Sequence, residues 1–276
     1  LLDDAPRVIS TLRALLPGAD PAHEPLAFGS WIGGDEDGNP NTGPDTVRAA
    51  IDQARHLVID RYRSEVRELA RAISVSQRLA DIDPRLLESI ARDERELPKY
   101  AAAIGDQNAG EPYRRKLSFM WQRLGNVVAT DNARSTDDAA YADAAAFRAD
   151  LDLLDAALRA GRGERIADGR LGALRRRVQM FGFHLYKLDV RMHARDLADP
   201  DDRVRGTLEA VHEEQARFGC EVADTIIISG TASAQDVLHA FDAADAAGAD
   251  MAPVPLFETI EDLVAAPAIV TELLDE

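Results

Sequence analysis

Apolar and polar positions follow a helical period through the first two thirds of the chain. From Asp45 onward, apolar residues recur at spacings of three and four, which predicts a long helix that starts near this residue. The same period predicts further helices at about 5–17, 84–104, 112–124, 147–158 and 168–180. Residues 125–140 are polar and rich in turn-forming residues, so we expect a loop there.

The period changes in the last third of the chain. FHLYKLDVRM at 183–192 combines β-forming residues with apolar alternation and predicts a strand. TIIIS at 225–229 is typical of a strand buried on both faces, and PVPLFET at 253–259 predicts another strand. A helix capped by Ser233 is expected at 233–247, and a second helix follows the last strand. This alternation predicts a parallel sheet or a (β/α) barrel, although the strands are too few to close an eight-stranded barrel.

Composition and charge narrow the class of protein. The chain has 276 residues, 46% of them apolar, which is sufficient for a packed core. Its net charge of −17 argues against nucleic acid and anionic membranes as partners, because both bind basic surfaces. No apolar run approaches the ~20 residues that span a bilayer, and the first residues show no signal-peptide pattern. One cysteine, Cys220, leaves no internal disulfide or cysteine-based zinc site, so we expect a soluble, cytoplasmic protein.

Two charged residues stand at the ends of predicted strands. Arg191 ends LYKLDVR, and Glu258 ends PVPLFE. In a parallel barrel the active site lies at the carboxyl ends of the strands, so both residues are functional candidates. Each also has a structural interpretation. An arginine after a strand is more often part of a surface ion pair, and a glutamate there is favourable at a helix N-terminus.

FGSWIGGDEDGNPNTGP at 28–44, called the acidic loop below, places three consecutive carboxylates between glycines. An EF-hand is excluded, because Gly38 stands at position four and Thr46 occupies position twelve, where glutamate is required. The G-x-x-x-x-G-K pattern of a phosphate-binding loop is also absent from the sequence. The pattern alone therefore favours an exposed turn over a binding site.

Several segments, in order, resemble phosphoenolpyruvate carboxylases. FGSWIGGDEDGNPNT is similar to the family's S-W-x-G-G-D-R-D-G-N-P segment, and MFGFHLYKLDVRMHARD to its F-G-x-x-L-V-x-L-D-I-R-Q-x-S segment. TIIISGTASAQDVL and VPLFETIEDL are similar to its I-S-x-x-x-x-x-S-D-V-L and P-L-F-E-T-x-D-D-L segments. The resemblance implies a mostly α fold with a partial α/β region, an incomplete (β/α)8 barrel of the TIM type with extra helices. It implies a central fragment of a larger enzyme, with a helix end and site-wall loop at 1–45, a helical region at 46–180 and a partial β/α barrel at 181–276.

The resemblance also implies a reaction and a site. Phosphoenolpyruvate and bicarbonate would give oxaloacetate and phosphate, an anaplerotic carbon dioxide fixation of the lyase class. Glu258, the PLFET glutamate, would bind Mg²⁺ or Mn²⁺, and Arg191 would contact the phosphorylated substrate. Trp31 and Leu256 would shape an apolar pocket around the substrate's methylene. The wall of the site would be formed by Gly33, Gly34, Asp35, Asp37 and Asn39, and the acids would pair with arginines that the sequence does not identify.

The chain departs from the family pattern in several places. Glu36 stands where the family has arginine between the two aspartates, which reverses the charge at this position. No His-Pro dipeptide matches the family's T-A-H-P-T segment with its essential histidine, and the G-Y-S-D-S and G-R-G-G segments are also unmatched. The link from Arg191 to TIIIS is short against the family. We therefore assign no catalytic histidine or lysine and expect the chain alone to be inactive.

The resemblance further implies a homo-oligomer, a tetramer in the family, under allosteric control. Two other interpretations stay open. The chain could be a degenerate, non-catalytic barrel that serves as a scaffold or binding module. An unrelated phosphoenolpyruvate-binding barrel lyase would explain Arg191 and Glu258 but not GGDEDGNP.

Overall fold

The computed structural model describes residues 2–15, 26–78, 81–131 and 139–275. The protein is mostly helical, at 66%, with four parallel strands in the order β1-β2-β3-β4. It divides into two compact units. The helical unit comprises Leu1–Leu26 and His56–Phe183, and the sheet unit comprises Ala27–Arg55 and His184–Glu276.

Most elements of the helical unit follow the predicted periods. Its helices are α1 (Ala5–Leu15), the part of α2 (Pro44–Ala72) from His56 onward, α3 (Pro84–Glu96), α4 (Pro98–Ile104), α5 (Pro112–Asp131), α6 (Ala144–Ala160), α7 (Glu164–Ile166) and, after a π-helical turn at Ala167–Leu171, α8 (Gly172–Phe181). The single helix predicted at 84–104 is wrong, because Pro98 starts a new helix and forces Leu97 out of helical geometry.

The loop predicted at 125–140 is also wrong over its first part. α5 continues to Asp131, since Val127 packs into the core and the buried Asn126 side chain is hydrogen-bonded. Asn126 accepts a hydrogen bond from Gln122 at 2.8 Å and donates one to the Ala139 carbonyl at 2.9 Å. Tertiary packing here outweighs the turn-forming composition. Residues 132–138 of the predicted loop lie outside the described ranges.

A buried ion-pair network joins three helices of the helical unit. Lys116 of α5 is 1% exposed, and its Nζ lies 2.7 Å from carboxylate oxygens of Asp93 on α3 and Asp150 on α6. Arg123 contributes a second cation, 2.8 Å from Asp93. Each buried charge is therefore compensated, which keeps the desolvation cost of the network tolerable.

The sheet unit confirms the predicted alternation of strands and helices. Its elements are β1 (Gly29–Ser30), the start of α2, β2 (Lys187–His193), α9 (Ala194–Ala198), α10 (Asp202–Phe218), a 3-10 turn (Cys220–Val222), β3 (Thr225–Ser229), α11 (Ala234–Ala247), β4 (Ala252–Pro255) and α12 (Ile260–Asp275). TIIIS forms β3 with the predicted bounds. The other two predicted strands are shorter than expected, and Ser233 caps α11 with its backbone N–H donating to Asp236 at 2.9 Å.

Strand β2 separates the core of the sheet unit from a polar face. Leu188, Val190 and Met192 point into the core, where they meet Ile226 and Ile228 of β3. Because side chains alternate along a strand, Arg191 lies on the opposite, half-buried face. No helix in the described ranges is long and apolar enough to cross a membrane.

We predict that Lys116→Met lowers the free energy of unfolding by roughly 3 kcal/mol, because it removes the buried cation that Asp93 and Asp150 share. Urea denaturation followed by circular dichroism measures this loss. Lys99→Met, at an exposed position of α4, is the matched control and should change stability by less than about 0.5 kcal/mol. Equal effects of the two substitutions would contradict a stabilising role for the network.

Candidate functional site

The acidic loop is an extension of the sheet. After β1 the chain makes one turn, in which the backbone N–H groups of Gly34 and Asp35 each donate to the Trp31 carbonyl at 3.1 Å. It then returns beside β2, where the Arg191 N–H donates to the Gly34 carbonyl and the Glu36 N–H donates to the Arg191 carbonyl, both at 2.9 Å. The exposed turn that the pattern favours therefore describes only part of this loop, because residues 34–36 pair with Arg191 of β2.

Glycine is required where the loop returns to the sheet. A Cβ atom on Gly34 would lie 2.5 Å from the Asp189 carbonyl oxygen, which is backbone and cannot move aside. Gly33 has φ +93°, and a Cβ there would meet the Ala50 side chain at 2.7 Å. The two glycines therefore permit the close approach that seats the following acids beside β2.

The guanidinium of Arg191 gathers three carboxylates. Its Nη2 lies 2.8 Å from Asp37 Oδ2 and 3.3 Å from Glu258 Oε1, and its Nη1 lies 3.4 Å from Asp35 Oδ2. The Trp31 ring covers the same group, with its centroid 5.4 Å from Cζ. Arg191 thus pairs with Asp35 and Asp37 of the acidic loop. One cation among three carboxylates leaves a local excess of negative charge.

Glu258 reaches Arg191 because another residue caps the following helix. The backbone N–H groups of Glu258 and Thr259 donate to Asp262 Oδ2 at 3.2 and 2.9 Å, and the N–H of Asp262 donates to Thr259 Oγ1 at 3.0 Å. The hydrogen bonds to the Asp262 carboxylate hold its pKa below the usual range, and the bond from the Thr259 backbone N–H has the largest effect. Asp262 therefore makes the helix-terminal contact expected of a glutamate at this junction, and the Glu258 side chain, 44% exposed, is available for other partners.

The remaining candidates lie around this centre with different local roles. Leu256 is half-buried, and its N–H donates to the Ile228 carbonyl at 2.9 Å, which continues the β3–β4 pairing. Asn39 folds the far end of the loop, where its side-chain amide donates to Thr42 Oγ1 at 2.7 Å. Within the described residues, the side-chain hydrogen bonds of Arg191 go to Asp35, Asp37 and Glu258 and not to Asn39.

Sequence reasoning missed part of the polar face of β2. Asp189 and Lys187 stand two and four residues before Arg191 and share its face. Lys187 pairs with Asp224, and burial raises the pKa of Asp189. The alternation of charged residues along KLDVRMH was the signal that could have found them. His193 caps the N-terminus of α9, since its Nδ1 accepts a hydrogen bond from the Arg195 N–H at 3.1 Å.

The residues present fit a divalent metal only in part. Glu258 offers a hard oxygen ligand in a region of excess negative charge. The described ranges nevertheless contain no group of three or more His, Cys, Asp or Glu residues arranged to hold a metal ion. Glu258 could therefore contribute one ligand, and no complete coordination sphere is formed by these residues.

Comparison with known proteins identifies the family of the chain. The phosphoenolpyruvate carboxylase family model matches residues 1–200 and 197–276. The chain belongs to the phosphoenolpyruvate carboxylase family. It is 34% identical to the phosphoenolpyruvate carboxylase of Nocardia farcinica over 97% of this chain and 35% of that protein. The phosphoenolpyruvate carboxylase of Mycobacterium avium is 32% identical over 97% of this chain and 34% of that protein. The phosphoenolpyruvate carboxylase of Ralstonia nicotianae is 31% identical over 92% of this chain and 32% of that protein.

The chain spans about a third of the length of these phosphoenolpyruvate carboxylases. Its alignment with the Nocardia protein extends over 334 residues, more than the 276 residues of the chain, so that relative contains residues with no counterpart here. The two family matches meet at 197–200, between β2 and α10, where the link after Arg191 was expected to be short.

We predict that Gly34→Ala lowers the free energy of unfolding of the sheet unit by about 1–3 kcal/mol, because its methyl group would collide with the Asp189 carbonyl. Denaturant unfolding measures the effect. Gly110→Ala is the control, since no atom lies within 4 Å of its added Cβ. A Gly34→Ala protein as stable as the Gly110→Ala protein would show that the close approach does not exist.

Proposed function

We propose that this chain forms part of the phosphoenolpyruvate site of an enzyme that converts phosphoenolpyruvate and bicarbonate into oxaloacetate and phosphate. Family membership supports the overall reaction. The observation that carries the assignment of the site is the meeting of Trp31, Asp37 and Glu258 at the guanidinium of Arg191.

Arg191 is suited to a phosphate group. Its planar guanidinium offers several donors in a fixed geometry, and phosphate oxygens accept two of them at once. The contacts to Asp35 and Glu258, at 3.4 and 3.3 Å, are longer than the 2.8 Å contact to Asp37. In the proposed complex the substrate's phosphate replaces the two longer contacts, while Asp37 continues to orient the arginine.

The excess negative charge of the cluster explains why a cation is needed. A phosphate dianion approaching Arg191 would be repelled by three carboxylates unless further positive charge were present. Phosphoenolpyruvate carboxylases generally use a divalent metal, and we assign Glu258 as one ligand of Mg²⁺ or Mn²⁺ in the complete site. When bound, such an ion supplies the positive charge that stabilises an enolate oxygen.

Apolar side chains complete the proposed pocket. Trp31 is half exposed and lies over Arg191, and Leu256 follows β4 two residues before Glu258. We assign these two residues to the walls around the substrate's methylene, where they would exclude water from a reactive enolate. The loop residues Gly33, Gly34, Asp35, Asp37 and Asn39 would form the adjoining wall.

The sheet supports the proposal that these strands belong to a (β/α)8 barrel. All neighbouring strand pairs are parallel, and Arg191 stands two residues before the carboxyl end of β2, while Glu258 stands three residues beyond that of β4. Active sites of such barrels lie at this end of the strands.

The first test uses the full-length protein that contains this chain. We expect Arg191→Met to lower kcat/KM for phosphoenolpyruvate by at least about 100-fold, because the main donor to the phosphate is lost. The rate of oxaloacetate production at varied phosphoenolpyruvate concentration gives kcat/KM. Arg205→Met is the matched control, since Arg205 lies exposed on α10 and pairs with Asp202. Normal kcat/KM in the Arg191→Met protein would remove Arg191 from the substrate site.

A second test concerns the metal and does not depend on turnover. Glu258→Gln should weaken Mn²⁺ binding by about tenfold or more, because an ionised ligand is replaced by a neutral amide. Electron paramagnetic resonance of free Mn²⁺ gives the dissociation constant. Glu261→Gln, exposed in the first turn of α12, should bind Mn²⁺ normally. Unchanged binding by the Glu258→Gln protein would exclude Glu258 as a ligand.

A further inference from the structure

The middle acid of the acidic loop points away from the other two. Asp35 and Asp37 turn toward Arg191, with side chains 35% and 23% exposed. Glu36 turns to the other side and is 2% exposed, because side chains alternate along extended backbone. A fully buried carboxylate is costly unless its charge is compensated, so its surroundings must supply partners.

Helix α10 supplies those partners. The Thr207 hydroxyl donates a hydrogen bond to Glu36 Oε1, and Arg203 Nε lies 3.6 Å from Glu36 Oε2. Arg203 also donates from Nη1 to the Asn39 carbonyl at 3.3 Å. Arg203 and Thr207 are four residues apart, so they share one face of α10 and hold the loop at two points.

Thr207 and Arg203 compensate the buried charge of Glu36 in part. Burial raises the pKa of Glu36, while the Thr207 hydrogen bond and the Arg203 charge act in the opposite direction. Arg203 is the cation found within ion-pair distance of Glu36 in the part of the chain that the structure describes. Without it the carboxylate would be buried with a single hydroxyl partner.

We infer that Glu36 is a positioning residue of this chain, held by Arg203 and Thr207 of α10, that fixes the backbone from which Asp35 and Asp37 reach Arg191. Its N–H donates to the Arg191 carbonyl, so the clamp acts directly on the strand that carries the arginine. The effect on substrate binding rests on the proposed function, whereas the clamp itself does not.

A charge exchange tests the clamp. Glu36→Arg places two cations together, Arg203→Glu places two carboxylates together, and the double variant restores opposite charges. Each single change should accelerate hydrogen exchange of the Arg191 amide, which donates to the Gly34 carbonyl, by at least about tenfold. The double variant should return it to within about threefold of the parent.

Two further variants keep the test decisive. Glu36→Gln retains a partner for Thr207 and removes only the charge, so this variant should fold even where Glu36→Arg does not. Its Arg191 amide should exchange hydrogen faster than that of the parent. Arg205→Glu, an exposed neighbour on α10, should leave exchange of the Arg191 amide unchanged. Unchanged exchange in Glu36→Gln and the single charge reversals would overturn the clamp, as would a double variant no better than either single.

Hydrogen exchange needs no substrate, so its result stands apart from the proposed function. In the full-length protein, the dissociation constant for phosphoenolpyruvate should rise in each single variant and recover in the double. Exchange that recovers in the double variant without recovery of affinity would uphold the clamp and count against Arg191 as the substrate-binding arginine.

Discussion

The site depends on one guanidinium that is held by its own backbone. Arg191 pairs with β3 on one edge and with the returning acidic loop on the other, so its position is fixed before its side chain makes any contact. The side chain then joins acids that lie 67 to 156 residues away in the chain. Three carboxylates meet around one cation, and this imbalance makes the cluster receptive to additional positive charge.

The rest of the sheet unit serves this arrangement through two constraints. Alternation along β2 places Leu188, Val190 and Met192 in the core and leaves Arg191 on the polar face. The absence of a side chain at Gly34 lets the loop approach the Asp189 carbonyl, and the alternation then sends Asp35 and Asp37 toward Arg191 and Glu36 toward α10. A one-residue shift would exchange these directions and bury the wrong acids.

The sequence was informative where a local pattern decides the structure. TIIIS predicts β3 with the observed bounds, and the predicted strand ends point to Arg191 and Glu258 as candidates. Pro98 carried a signal for the helix break that the apolar period concealed. Long-range pairings could not be found in this way. No local pattern shows that Arg191 pairs with Asp37, that Val127 keeps α5 helical, or that one acid in a run of three is buried against Arg203.

The most direct test of this account is a crystal structure of the full-length protein with phosphoenolpyruvate, in the presence of Mn²⁺ and without bicarbonate. The account predicts the phosphate on the guanidinium of Arg191, the methylene between Trp31 and Leu256, and the metal bound through Glu258. Phosphoenolpyruvate bound elsewhere, with Arg191 still enclosed by Asp35, Asp37 and Glu258, would contradict it.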